Sequence, residues 1–209
     1  MSTDSAIAYP VRLAVDYPDR PLDRLSTVLR LLWVIPIGIV LAAVSGATVA
    51  FGGTATLVAA GGLLFLAPLL MIVFRQKYPR WWFDWNLGLT RFSTRVATYV
   101  ALMDDRYPST DDEQSVHLDI DYPDVPRDLN RLLPLVKWLL AIPHIVVLFF
   151  LGLGAIGAVV IAWFAILFTG RYPRGLFDYV EGVLRWGTRV SGYAFLLVTD
   201  RYPPFSLRA

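Results

Sequence analysis

The chain has no cysteine and only two histidines among its 209 residues. Without a thiol there is no disulfide, no thiolate metal site and no cysteine nucleophile. Two isolated histidines, with no neighbouring carboxylates at ligand spacing, also argue against a zinc site. Charge is scarce: Asp, Glu, Lys and Arg make up 17% of the chain, against about 25% in an ordinary soluble domain. The formal net charge is +2, so no basic field points to nucleic acid. The sequence holds no P-loop, no dinucleotide fingerprint and no Gly-x-Ser-x-Gly. No cofactor is expected, and an enzyme ranks last among the functions considered.

Apolar residues are plentiful, at 56%, with a mean hydropathy of +0.53. They lie in blocks. Leu31 to Phe74 is free of charge over 44 residues, and Trp138 to Gly170 over 33. One bilayer crossing takes about 20 apolar residues. The first run therefore predicts a membrane hairpin over 29–74, with helices at 29–51 and 56–74 turning at "FGGTAT". The second predicts a hairpin over 132–169, with helices at Leu132–Leu151 and Ala155–Thr169 and Gly-rich "LGLGAIGA" at its midpoint. A single tilted helix of about 50 Å is the alternative for this second run. Small residues on these helices (Gly38, Ala42, Ala43 and Gly46; Gly152, Gly154, Gly157 and Ala158) permit close helix contact.

Arg24, Arg30, Arg75, Lys77, Arg80, Arg131, Lys137, Arg171 and Arg174 flank the runs, whereas both expected turns carry no charge. By the positive-inside rule, both termini and the central segment face the cytoplasm in a multi-pass inner-membrane protein. Residues 1–24 show neither the basic start nor the apolar run of a signal peptide, so none is expected to be removed.

The order of blocks repeats. "KYPRWWFDWNLGLTRFSTRV" at 77–96 and "RYPRGLFDYVEGVLRWGTRV" at 171–190 are identical at 10 of 20 positions. "VRLAVDYPDRP" at 11–21 matches "VHLDIDYPDVP" at 116–126, "RLLWVIP" at 30–36 matches "KWLLAIP" at 137–143, and "TYVALMDDRYP" at 98–108 matches "GYAFLLVTDRYP" at 192–203. Four blocks in the same order indicate internal duplication. The predicted unit is a strand, a membrane hairpin, an interfacial amphipathic helix and a closing strand. The first copy spans 9–108 with its interfacial helix at 80–96. The acidic linker is 109–115, and the second copy spans 116–204 with its helix at 174–190. The expected fold is an α-helical membrane protein with a small β component, whose four strands form one cytoplasmic sheet about a pseudo-two-fold.

These Tyr-Pro-Arg, Phe-Asp-aromatic and Arg-x-x-Thr-Arg-Val elements resemble the bacterial membrane proteins grouped as domain of unknown function 4389. The resemblance covers nearly the whole chain as two copies. It implies a membrane protein and carries no activity.

The duplicated charges are the candidate site. Arg91 and Arg95, like Arg185 and Arg189, stand four apart on one helix face. They are candidates to receive anionic lipid headgroups at the cytoplasmic interface. The competing expectation is structural, with Asp84, Asp178 and Glu181 pairing the arginines to dock the helix on the sheet. Tyr78, Trp81, Trp82, Trp85, Tyr172 and Trp186 are expected as interface anchors. His117 reads as a strand-face residue, and His144 as a neutral ring bonded to a backbone carbonyl. The seven Tyr-Pro steps read as architecture. The leading functional expectation is a non-enzymatic scaffold or accessory subunit, with a membrane-protein partner or a second copy of itself. A lipid-binding or lipid-transport protein is the alternative.

Overall fold

The computed structural model describes residues 9–45, 66–110 and 112–208. The described residues are mostly helical, with one small antiparallel sheet. Strand β1 (Val11–Val15) and strand β2 (Val116–Ile120) arise where apolar and polar residues alternate. Val11, Leu13 and Val15 point inward, as do Val116, Leu118 and Ile120. The register sets Val11 opposite Ile120, Leu13 opposite Leu118 and Val15 opposite Val116.

Among the described residues seven helices accompany the strands: α1 (Arg24–Ser45), α2 (Leu66–Arg75, its last turn a π-helix), α3 (Arg80–Val100), α4 (Val125–Asp128), α5 (Pro134–Leu140), α6 (Ile142–Thr169) and α7 (Arg174–Ala194). Pro79 and Pro173 stand just before α3 and α7 with φ of −62°, which proline holds without strain. Gly170 ends α6 at φ 72°, the left-handed cap that glycine takes most readily.

The elements stack in layers. β1 rests on α7 and β2 on α3, and these two amphipathic helices in turn carry α6 and α1 on their far sides. The chain therefore crosses over: the first strand packs on the last helix, and the second strand on the middle one. The core lies between sheet and helices, around Val11, Leu13, Leu118, Phe83 and Leu197. Opposite it, α1 and α6 present an apolar outer face, with Leu31, Phe149, Phe150, Ile156, Phe164 and Phe168 exposed. The sheet's outer face is charged, through Arg12, Asp16, His117, Asp119 and Asp121.

Three expectations are corrected. The described residues hold two strands, not four. The closing stretches at 98–108 and 192–203 begin as the last turns of α3 and α7, which run beyond the expected ends at 96 and 190. Each then reverses at a buried leucine with positive φ, Leu102 at 63° and Leu197 at 57°. The N–H groups of Met103 and Val198 bond back to Thr98 and Gly192 at 3.0 Å, so these apolar residues fill the core from a turn.

The second correction concerns 132–169. No turn falls at its Gly-rich midpoint; α6 continues through it for 28 residues, about 42 Å. Of its glycines, Gly154 allows a close approach, whereas Gly152 and Gly157 have nothing within 4 Å. A Cβ on Gly154 would lie 2.5 Å from the Tyr179 hydroxyl, which donates to the Leu151 carbonyl at 2.9 Å. The expected turn at "FGGTAT" lies outside the described residues.

The third concerns the anchors. Tyr78, Tyr172 and Trp186 are buried, at 3%, 1% and 4% exposure, and belong to the core rather than to an interface. Trp81 and Trp85 are exposed.

Candidate functional site

The four candidate arginines lie along the seam between helices and strands. Arg91 Nε donates to the Leu118 carbonyl at 2.9 Å, and Arg185 Nε donates to the Leu13 carbonyl at 2.8 Å. Leu13 and Leu118 face each other across the sheet, so two helices grip its centre from matching positions. Arg95 Nη1 donates to Ser109 at 2.7 Å, and Arg189 Nη1 to Arg208 at 2.9 Å; both side chains are buried. Each of these two bonds uses Nη1, and the Nε atoms of Arg95 and Arg189 are buried without a hydrogen-bond partner. Glu181 pairs with Arg185 and accepts the Val15 N–H at 3.1 Å. Asp84 and Asp178 pair instead with Arg80 and Arg174, at 3.9 and 4.0 Å on exposed helix faces. Their distance and exposure give them little docking value.

Tyrosines repeat the exchange between halves. Tyr17 donates to the Tyr172 carbonyl and Tyr122 to the Tyr78 carbonyl. Tyr17 stacks edge-on with Phe177 at 5.0 Å, and Tyr122 with Phe83 at 5.1 Å. Arg174 covers the Tyr17 ring and Arg80 covers the Tyr122 ring. Burial raises the phenols of Tyr78 and Tyr172 above their ordinary range.

Arg30 and Lys137, two of the cations that flank the apolar runs, are both buried, at 2% and 0% exposure. Lys137 Nζ meets Asp200 at 2.6 Å and donates to the Thr199 carbonyl at 2.8 Å, 5.2 Å above the Tyr193 ring. Arg30 has the matching place: its guanidinium lies 4.0 Å over the Tyr99 ring, and Nη1 donates to the carbonyls of Tyr99 and Asp104. Asp105, in the position that matches Asp200, pairs with Arg20 instead. The alignment of "RLLWVIP" with "KWLLAIP" already set these two cations together, and that was the signal for a shared internal role.

Arg30 also lines a groove of about 360 Å³ between α1 and α6, walled by Val28, Leu31, Val159, Trp163 and Phe164. His144 is fully buried; its Nδ1 accepts from Trp186 Nε1 at 3.1 Å, where a backbone partner was expected, and its ring stacks on Phe205 at 3.9 Å. Trp186 is buried because this partner satisfies its indole. His117 sits on the strand face, 2.9 Å from Asp16. Among the described residues no three His, Cys, Asp or Glu side chains group as metal ligands.

Residues 133–206 match the model of a family described as Domain of unknown function (DUF4389). The match supports that family resemblance over the second half of the chain. No curated protein and no solved structure matches the chain.

Proposed function

We propose that this chain is a non-enzymatic membrane scaffold or accessory subunit, seated in one leaflet through the α1–α6 layer. Among the described residues two helices are long and apolar enough to cross a bilayer, Arg24–Ala42 within α1 and the whole of α6. The observation that carries the reading is how α6 is held. Just before it, Leu140 at the end of α5 accepts from the Tyr202 hydroxyl, and in its first turn His144 accepts from Trp186. At its middle, Leu151 accepts from Tyr179. At its end, Gly170 accepts from the Leu22 N–H at 2.9 Å. The body beneath carries charge along the same length: Lys137–Asp200, then Glu181–Arg185, then Arg174–Asp178. Upright, α6 would draw these charges into hydrocarbon, at a cost of several kcal/mol. Lying along the leaflet, it buries its outer phenylalanines in acyl chains and leaves the charged sheet in water. Both ends of α6, and the cations beside them, then stay on one side.

The matched bonds support a second part of the proposal, two tandem copies of one unit that exchange strands about a pseudo-two-fold. Arg91 and Arg185, already bonded to strand carbonyls, act in it as docking residues rather than headgroup ligands. The sheet's charged face is the side offered to a partner.

Flotation with phosphatidylcholine vesicles tests the seat. The wild-type chain should float. Phe149→Glu/Ile156→Glu, changed only on the outer face, should stay folded by circular dichroism and lose most of the floated fraction. Undiminished flotation of this variant contradicts the proposal.

A further inference from the structure

We propose that the groove between α1 and α6 binds a long-chain fatty carboxylate, with its tail among the apolar walls and its head on Arg30. A buried cation ordinarily has a carboxylate partner. Lys137 has Asp200, whereas the matching Asp105 is turned to Arg20, and no carboxylate among the described residues pairs with Arg30. Its Nη1 is engaged, while Nε and Nη2 are buried without a hydrogen-bond partner. Those two nitrogens form one edge of the guanidinium and present parallel N–H groups, the fork that a carboxylate takes with both oxygens. Unfilled donors at such depth are costly, so a ligand that fills both gains affinity there.

The groove suits the rest of such a molecule. Its volume of about 360 Å³ lies at the lower end of small-molecule pockets. Its walls are apolar apart from Thr27 and Arg30, and the Trp163 indole is already bonded to the Thr27 carbonyl at 3.2 Å. Charge and wall chemistry together select an anionic head on an apolar tail. The 2% exposure of Arg30 favours a bare carboxylate over a phosphodiester with its glycerol. The inference extends the leaflet seat, which brings the groove within reach of bilayer amphiphiles.

Native mass spectrometry of the full chain, released from phosphatidylcholine nanodiscs doped with palmitate, hexadecanol or phosphatidylglycerol, tests it. Wild type should retain one palmitate at least tenfold over hexadecanol, and phosphatidylglycerol should not displace it. Arg30→Gln should lower palmitate retention tenfold. Because that substitution falls in a buried position, Val160→Trp, which fills the groove and leaves Arg30 in place, should abolish retention as well. Equal retention of hexadecanol, displacement by phosphatidylglycerol, or undiminished palmitate on Val160→Trp overturns the inference. A chain that stays out of the nanodisc but binds palmitate from solution contradicts the leaflet seat alone. A chain that enters and retains none contradicts the groove alone.

Discussion

Arg185 reaches across 172 residues of sequence to donate its Nε hydrogen to the Leu13 carbonyl at 2.8 Å. Arg91 does the same for Leu118, at 2.9 Å. A two-stranded ribbon is marginal alone in water. Here each strand is pinned at its middle residue by a cation from the helix beneath, and the two pins come from the two halves of the chain.

Arg185→Ala should therefore cost about 1–3 kcal/mol, since it leaves a strand carbonyl and Glu181 without their partner. Arg80→Ala, which removes a pair at 3.9 Å between side chains 72% and 58% exposed, should cost less than about 1 kcal/mol. Thermal unfolding of the two variants side by side checks the order. Equal losses would show that the pin is not what holds the strand.

The Lys137–Asp200 pair is buried on the lysine side, and removing one member strands a charge. Asp200→Asn should destabilise the chain by about 3–5 kcal/mol, while Lys137→Met/Asp200→Leu should recover much of that loss. Denaturant midpoints of the single and double variants read the coupling directly. A double variant as unstable as the single one would contradict the account.

Helix glycines separate by what lies next to them. A Cβ on Gly192 would meet Val11 Cγ2 at 2.6 Å, a β-branched side chain with little freedom to yield, so Gly192→Ala should cost about 1–3 kcal/mol. Gly154→Ala displaces the Tyr179 hydroxyl and should cost about 1 kcal/mol, through the lost bond to Leu151. Gly157, with nothing within 4 Å, should gain about 0.5–1 kcal/mol on Gly→Ala. The ranking is read from thermal midpoints. Combining Tyr179→Phe with Gly154→Ala should leave little further loss from the alanine.

Alkali should loosen the fold. The phenols of Tyr78 and Tyr172 titrate in the unfolded chain near their ordinary value of 10.0, and burial raises them above it in the folded chain. Stability is then complete below about pH 10 and declines as the pH rises beyond it, because only the unfolded chain releases those protons. Phenolate absorbance and ellipticity followed together should change in one step above pH 10.

Much of this architecture is legible in the sequence, for local reasons. Alternation over "VRLAV" and "VHLDI" gives both strands their inward faces, and Tyr-Pro-Arg marks where α3 and α7 begin. The closing stretches mislead because Leu102 and Leu197 adopt positive φ, a conformation for which leucine has no local preference and which packing alone sustains. The second hairpin misleads because Gly154 serves a side chain 25 residues away, as the Tyr179 contact shows. The arginines were legible as a helix face, but their partners are backbone carbonyls, which no side-chain pattern records. Arg30 and Lys137 align in the repeated blocks, yet their burial follows from how α1 and α5 pack.

The natural absence of cysteine makes one measurement direct. Single cysteines at Leu132, just before α5, and at Arg171, just after α6, mark the two ends of the α5–α6 run, and one at Ile156 marks the outer face of α6; an impermeant maleimide is applied to inside-out and right-side-out vesicles. The leaflet seat predicts that Leu132→Cys and Arg171→Cys label from the same, cytoplasmic side, and that Ile156→Cys labels only with a permeant reagent. Labelling of the two ends from opposite sides, or of Ile156→Cys by the impermeant reagent, would contradict it.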